Sequence, residues 1–321
     1  MTTTMNEKEL SACLHSYGLK PLGTARTLPG GHVGTTALVP TGQGPPLVVK
    51  RLGQRFDLAR VQLSAEAHRH AALADLAPRP LYTTDGHLTA CLDGASYLLT
   101  EYVEAAEPPV RSDLAHALAK LHTHFDVFRP DSDCTDFMEL PEPPVAGLEE
   151  LLRQTRDTAT RSAVDRRLRI LAKYGLKARF TSALHRSWVH GDAGPDNLLT
   201  ARPSDRPLFI DFDQVSRFPR PYEIARAFIA TVTTPMSPQE LRSAFHRYLG
   251  AYQAITPISA SDRSLMTDLY ITVQAAETRS FTTPEGEVRG MRDFTLARHR
   301  QLAWIVRHRD LLHGVAEEAG S

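Results

Sequence analysis

The sequence predicts an α+β fold of two lobes: a small β-rich N-lobe over residues 1–103 and a larger, mainly helical C-lobe over 104–321. Three observations predict the layout. The 321-residue chain is 42% hydrophobic, too long for one small core and long enough for two lobes. Up to Val103 it reads as short strands with one helix among them. After the linker "EAAEPPV", helical periodicity dominates from Ser112 onward, interrupted chiefly by apolar runs around His190 and Ile210.

Each element has a local reason. "ELSACLHSYGL" carries apolar residues at helical spacing and stops near Gly18. Alternation over Thr36–Val39 and the apolar "PLVVKRL" at 46–52, separated by the turn-forming "TGQGPP", predict a hairpin. A helix is expected from about Leu58 to Leu76, with Leu63, Ala67 and Ala71 on its apolar face, ending at "APRP" because proline cannot continue it. "HLTACL" and "SYLLTEYV" read as two further strands.

Composition excludes several classes. Lys plus Arg equals Asp plus Glu, 37 each, so no net field gathers nucleic acid or an anionic membrane. Cys13, Cys91 and Cys134 are odd in number and lack metal-ligand spacing, which fits buried thiols in a reducing compartment. The N-terminal stretch lacks an export pattern, and no run of 18 apolar residues occurs, so a cytoplasmic protein is expected.

The chemistry concentrates in "SWVHGDAGPDNLL", residues 187–199, where an apolar run ends and Asp192, Asp196 and Asn197 follow at once. Phosphoryl transfer needs a hydroxyl oriented and partly relieved of its proton, while hard-oxygen ligands hold a metal that neutralises phosphate. Asp192 stands where a base would, and Asn197 can come round a compact loop to offer its amide oxygen to Mg2+. A second apolar run, "PLFIDFD", delivers Asp211 soon afterwards.

His190-Gly191-Asp192, then Asn197, then Ile210-Asp211-Phe212-Asp213 resembles the signature of the aminoglycoside phosphotransferase family, within the protein-kinase-like fold. The order of weaker features agrees over roughly residues 20–230. The resemblance implies that Lys50 holds nucleotide phosphates and that Glu66 is its ion-pair partner. It implies that Gly30, Gly31 and Gly34 in "LPGGHVGTT" belong to a phosphate-covering loop, and that "TEYVE", with Glu101 and Val103, is the adenine-binding hinge. It further implies ATP or GTP with Mg2+, and a kinase that phosphorylates a hydroxyl of a small-molecule metabolite or antibiotic. Taken singly, a glycine turn is ordinarily a hairpin, Glu66 a solvated helix residue, and His190 a brace for the loop.

Two other readings stand beside this one: a Ser/Thr kinase acting on a peptide, and a non-catalytic nucleotide-binding protein similar to spore-coat members of the superfamily. Departures from the pattern matter too. Ala193 to Asp196 carry no positive charge, Asp213 stands where the protein-kinase triplet has glycine, and Glu223 stands where the family usually has aspartate. Charge is also polarised: residues 131–150 hold seven acids and no Lys or Arg, whereas 153–186 hold ten Lys or Arg and two Asp. If this segment borders the acceptor, Arg161, Arg166 and Arg167 would favour a neutral or acidic acceptor over an aminoglycoside. The alternative is an apolar stripe of Leu148, Leu152, Thr155, Ala159 and Ala163 with the arginines merely solvated.

Overall fold

The computed structural model describes residues 5–20, 23–28, 35–41, 44–52, 57–106, 111–132, 138, 145–176, 184–232, 236–282 and 291–319. They group into two compact units. One comprises Met1–Pro109, Thr123–Phe137 and His190–Val215, and the other Val110–His122, Met138–Val189 and Ser216–Ser321.

The first unit is built on a five-stranded antiparallel sheet ordered β1-β2-β3-β5-β4: β1 (Arg26–Thr27), β2 (Thr35–Val39), β3 (Leu47–Arg51), β4 (Thr89–Leu92) and β5 (Ala95–Glu101). The β4–β5 hairpin turns through Asp93 and Gly94, both at positive φ (48° and 77°), as a tight turn matched to strand twist requires. Strand alternation then sorts side chains between two apolar clusters. Leu47, Val49, Tyr97 and Leu99 pack with Leu10, Cys13 and Leu14 of α1 (Glu7–Ser16), while Leu52 and Leu98 pack with Val61 and Ala65 of α2 (Leu58–Leu73). Lys50 therefore leaves β3 with the parity of Leu52, on the α2 face.

Helix α1 starts at a capping box, Asn6 with Glu9, and stops before Gly18 at φ 69°, as its sequence predicts. Helix α2 begins at an Asp57 cap and ends at Leu73, earlier than the expected Leu76. Asp75 takes the left-handed conformation (φ 56°) and Leu76 N donates to Ala71 O at 3.0 Å, so a Schellman-type closure ends the helix before the prolines are reached.

The hairpin of β7 (Leu198–Ala201) and β8 (Arg206–Phe209) belongs to this unit. Phe209 N donates to Leu76 O at 2.7 Å, Arg202 N donates to Glu104 O at 2.9 Å, and Ala105 pairs with Ala201, which sews the hairpin to the sheet-bearing part.

The second unit is helical. It holds α4 (Ala146–Gln154), α5 (Thr158–Tyr174), α6 (Arg220–Ala230), α7 (Pro238–Gln253), α8 (Ala260–Ala276), α9 (Arg279–Thr282), α10 (Met291–Arg307) and α11 (Arg309–Glu318). A two-stranded ribbon of β6 (Ser187–Val189) and β9 (Ser216–Phe218) accompanies them, and α3 (Arg111–Phe125) is shared between the units. Ser237 and Glu240 form a capping box ahead of α7, with Pro238 at the first helical position. Phe228, Phe245 and Tyr248 cluster at centroid distances of 4.5 and 5.3 Å around Phe228. Burying an aromatic of this size contributes about 2–3 kcal/mol. Among the described residues no helix is long and apolar enough to cross a membrane.

Candidate active site

The turn at Gly191 sets the geometry. Gly191 has φ 83°, and a Cβ built there would lie 2.0 Å from the backbone oxygen of Gln214. Only a residue without Cβ lets the two loops approach this closely. His190, fully buried, accepts from Asp192 N through Nδ1 at 3.3 Å, so Nε2 is the ring's donor, to Ile210 O at 3.0 Å. It braces two loops at once, the role expected for it.

Asn197 closes a 3-10 turn, Pro195–Asn197, and its Nδ2 donates to Asp192 O at 2.9 Å and to Asp192 Oδ2 at 3.1 Å. The carboxamide nitrogen is thus committed, which leaves the oxygen as the atom to face a cation. Hairpin register then brings in Asp211: Leu198 pairs with Phe209, and Ile210 N donates to Asn197 O at 3.0 Å just beyond the ladder. Asp211 itself is left-handed (φ 64°, ψ 65°). The left-handed position in the triplet is thus its first aspartate, a residue type that tolerates it at modest cost.

Lys50 reaches the same place. Its Nζ lies 2.8 Å from Asp211 Oδ1 and 2.7 Å from Asp213 Oδ1. Burial works against the lysine's charge, but the two carboxylates hold it above its ordinary pKa. Burial likewise pushes Asp211 up, and is outweighed by the charge and hydrogen bond of Lys50, so Asp211 titrates below its usual range. Asp213, more deeply buried and repelled by Asp211, is raised instead. The pair shares one cation, and Asp211 carries more of the ionised form.

The expected Lys50–Glu66 ion pair is replaced by this arrangement. Glu66 Oε2 accepts from Asp131 N at 3.0 Å and from Ser132 Oγ at 3.4 Å. The reason is helix rotation: at about 100° per residue, Glu66 lies roughly 200° round α2 from Ser64. Ser64 Oγ donates to Asp213 Oδ1 at 3.2 Å, and Arg60 Nε and Nη2 donate to Asp213 O at 3.0 and 2.7 Å. Sequence reasoning misses Arg60 and Ser64, because an arginine and a serine on an amphipathic helix read as solvated. Their only sequence signal is i, i+4, i+8 spacing with His68.

His68 is buried, donates through Nε2 to Pro78 O at 2.8 Å, and packs against Phe212 at 5.2 Å between ring centroids. Burial pulls its pKa from 6.5 down to about 4. Because the folded value is depressed, the unfolded chain takes up the proton first, and stability falls as pH drops from 6.5 to about 4, by about 3 kcal/mol. Urea midpoints of wild type and His68→Gln from pH 7 to 4 check this: the substitution should flatten the acid limb, and an unchanged slope would contradict it.

The other predicted residues divide. Gly30, Gly31 and Gly34 lie outside the described residues. Glu101 ends β5, where its N donates to Arg79 O at 3.0 Å and its Oε1 accepts from Arg79 N at 3.1 Å; Val103 follows, half-buried. Glu223 Oε2 lies 2.8 Å from His122 Nε2, whose Nδ1 lies 2.7 Å from Tyr252 OH, all within the helical unit. Among the described residues no group of three or more His, Cys, Asp or Glu is arranged to hold a metal. Asp211 and Asn197 nonetheless fit Mg2+, which commonly takes one or two protein oxygens and fills the rest with phosphate and water.

Two arginines of the basic segment, Arg161 and Arg167, are put to internal use. Arg161 Nη1 donates to Leu152 O at 2.8 Å, closing the end of α4. The buried face of α5 is Val164, Arg167 and Leu171, not the expected Ala159 and Ala163, since the helical run breaks at Thr155. Arg167 donates to Glu277 O and lies 4.7 Å over the Phe281 ring, and burial pulls its guanidinium down to about 10. Replacing Arg161, Arg166 and Arg167 together would therefore disturb helix packing as well as any acceptor.

The family model of the APH phosphotransferase enzyme family matches residues 24–258. No curated protein matches the sequence. Among solved structures, a microcompartment-associated aminopropanol kinase aligns at TM-score 0.65 and 17% identity, covering 96% of this chain and 99% of that one. Amicoumacin kinase hAmiN, solved with AMP-PNP, Ca2+ and Ami, aligns at TM-score 0.64 and 11% identity, covering 92% and 93%. An aminoglycoside phosphotransferase from Alicyclobacillus acidocaldarius aligns at 0.58 and 16% identity, covering 96% of each chain. These likenesses show the protein-kinase-like fold, with its small antiparallel sheet and helical remainder. With a family match over most of its length, the chain belongs to the APH phosphotransferase enzyme family.

Proposed function

We propose that the enzyme transfers the γ-phosphoryl group of ATP or GTP to a hydroxyl of a small-molecule metabolite or antibiotic. The observation that carries the reading is the convergence of Asp192, Asn197, Asp211 and Lys50 on one site from three separate stretches of chain. Asp192 orients the acceptor hydroxyl and takes its proton. Asp211 and the Asn197 oxygen hold Mg2+, which when bound would offset phosphate charge. Lys50 binds the phosphates, and Glu101 and Val103 border the base.

In this reading residues 1–103 hold the nucleotide, and 104–321 supply the catalytic loop and the acceptor site. The named substrates of the structural neighbours, an aminopropanol and antibiotics, support a small acceptor, and the AMP-PNP and Ca2+ bound to hAmiN support a nucleotide with a divalent cation. Cys13 is buried as expected and Cys91 is exposed, and as free thiols the two support a cytoplasmic setting.

A coupled phosphate-transfer screen of small alcohols with Mg-ATP and Mg-GTP tests the activity, and absence of transfer to every small hydroxyl while a peptide is phosphorylated would overturn the acceptor class. Calorimetry tests the metal site. Asp211→Asn should weaken Mg-ATP binding by roughly tenfold or more. Unchanged affinity and unchanged Mg2+ dependence would leave Asp211 as a polar strand terminus.

A further inference from the structure

Resting on that reading, we propose that Asp213, not Glu66, is the carboxylate that positions Lys50 for the nucleotide phosphates, and that α2 controls it through Ser64 and Arg60. A lysine on a flexible four-carbon stem is a useful phosphate ligand only if its ammonium is held in place. Two carboxylates contact it here, at almost equal distances, yet they are held differently. The Asp211 side chain is 36% exposed and sits at the open end of a hairpin beside Asn197, whereas that of Asp213 is 10% exposed.

Asp213 is anchored from several directions. Ser64 Oγ shares its Oδ1 with Lys50, and Arg60 grips its backbone oxygen with two nitrogens and also donates to Val215 O. Arg60 is itself buried, 5% exposed, and its backbone N is fixed by the Asp57 cap at 2.8 Å. A movement of α2 is thereby transmitted to Asp213 and through it to Lys50, the linkage that Glu66 would have provided. Glu66 instead turns its carboxylate to residues 131 and 132. The outcome is a division of labour: Asp211 has the exposure to turn to a cation, and Asp213 stays behind with the lysine when it does. Asp213 is on this account a positioning residue.

The test has a ligand-free arm and a nucleotide arm on the full chain. In the first, urea midpoints are measured for Lys50→Met, Asp213→Asn, Glu66→Gln and the two double variants. Lys50 and Asp213 should be non-additive, and Lys50 and Glu66 additive. In the second, Mg-ATP binding and its Mg2+ dependence are measured. Asp213→Asn should weaken Mg-ATP about tenfold with the Mg2+ half-saturation unmoved, Ser64→Ala should weaken it severalfold, and Glu66→Gln should change it less than twofold. If Asp213→Asn does not fold, Ser64→Ala, which removes one hydrogen bond, decides between the two acids against Glu66→Gln. Coupling of Lys50 to Glu66, or a shift of the Mg2+ half-saturation in Asp213→Asn, would overturn the proposal, the latter by making Asp213 a cation ligand. Wild-type protein that shows the coupling but binds no Mg-ATP or Mg-GTP would leave the Lys50–Asp213 pair standing and overturn the functional reading instead.

Discussion

Asp192→Asn is expected to lower turnover by roughly 100-fold or more while nucleotide affinity stays near wild type. The substitution is close to isosteric and keeps the local frame. Asn197 Nδ2 donates to Asp192 O and Oδ2, and an asparagine oxygen at the same place accepts the same bond. Asp192 N still meets His190 Nδ1. What is lost is the proton acceptor, which acts only once an acceptor hydroxyl is bound, so the loss falls on kcat and kcat/KM together and spares the nucleotide. Steady-state kinetics with saturating nucleotide, beside calorimetry of Mg-ATP, separates the two effects. Near-normal turnover in folded Asp192→Asn would remove the base from Asp192. A matched loss of nucleotide affinity would move Asp192 into the metal shell.

This site was legible in the sequence to the extent that it is made of strand ends and short turns. Asp192 and Asn197 lie in one compact loop, so their spacing alone brings them together, and a β-hairpin of fixed register carries Asp211 to the same edge. Lys50 was legible only through the resemblance, and strand parity then puts it on the α2 face. The partner of Lys50 was not, since it depends on the rotation of α2 about its axis, and a sixteen-residue separation from Lys50 to Glu66 does not specify rotation. Ser64 and Arg60 won that face over Glu66 by lying one and two turns from His68. The helical unit shows the same limit. Arg167 occupies a buried position on α5 that apolar patterning assigns to a neighbour, because its guanidinium is satisfied by a carbonyl and an aromatic face that come from distant sequence.

Gly191→Ala is expected to be the most damaging conservative substitution in the catalytic loop, destabilising the fold by about 3 kcal/mol or more. Two costs add. The left-handed backbone at φ 83° disfavours any Cβ, by about 1–2 kcal/mol. The Cβ would also lie 2.0 Å from Gln214 O and 2.7 Å from its carbonyl carbon, and backbone cannot rotate away as a side chain can. Relief requires the Asp192 loop to part from the Phe212–Gln214 turn, whose lead-in at Ile210 is tied to Asp192 N by His190. A displacement of about 1 Å at a base is enough to cost roughly 100-fold in rate, so activity should collapse even at temperatures where the variant is folded. Gly94→Ala supplies the control. Gly94 has nearly the same conformation, φ 77°, and a Cβ there would meet nothing within 4 Å, so it bears the backbone cost alone. Urea denaturation of both variants should therefore show Gly191→Ala losing at least twice as much stability as Gly94→Ala, with turnover reduced only in the former. Equal losses would mean that the two loops are not in the close contact that holds Asp192 and Asp211 on one site.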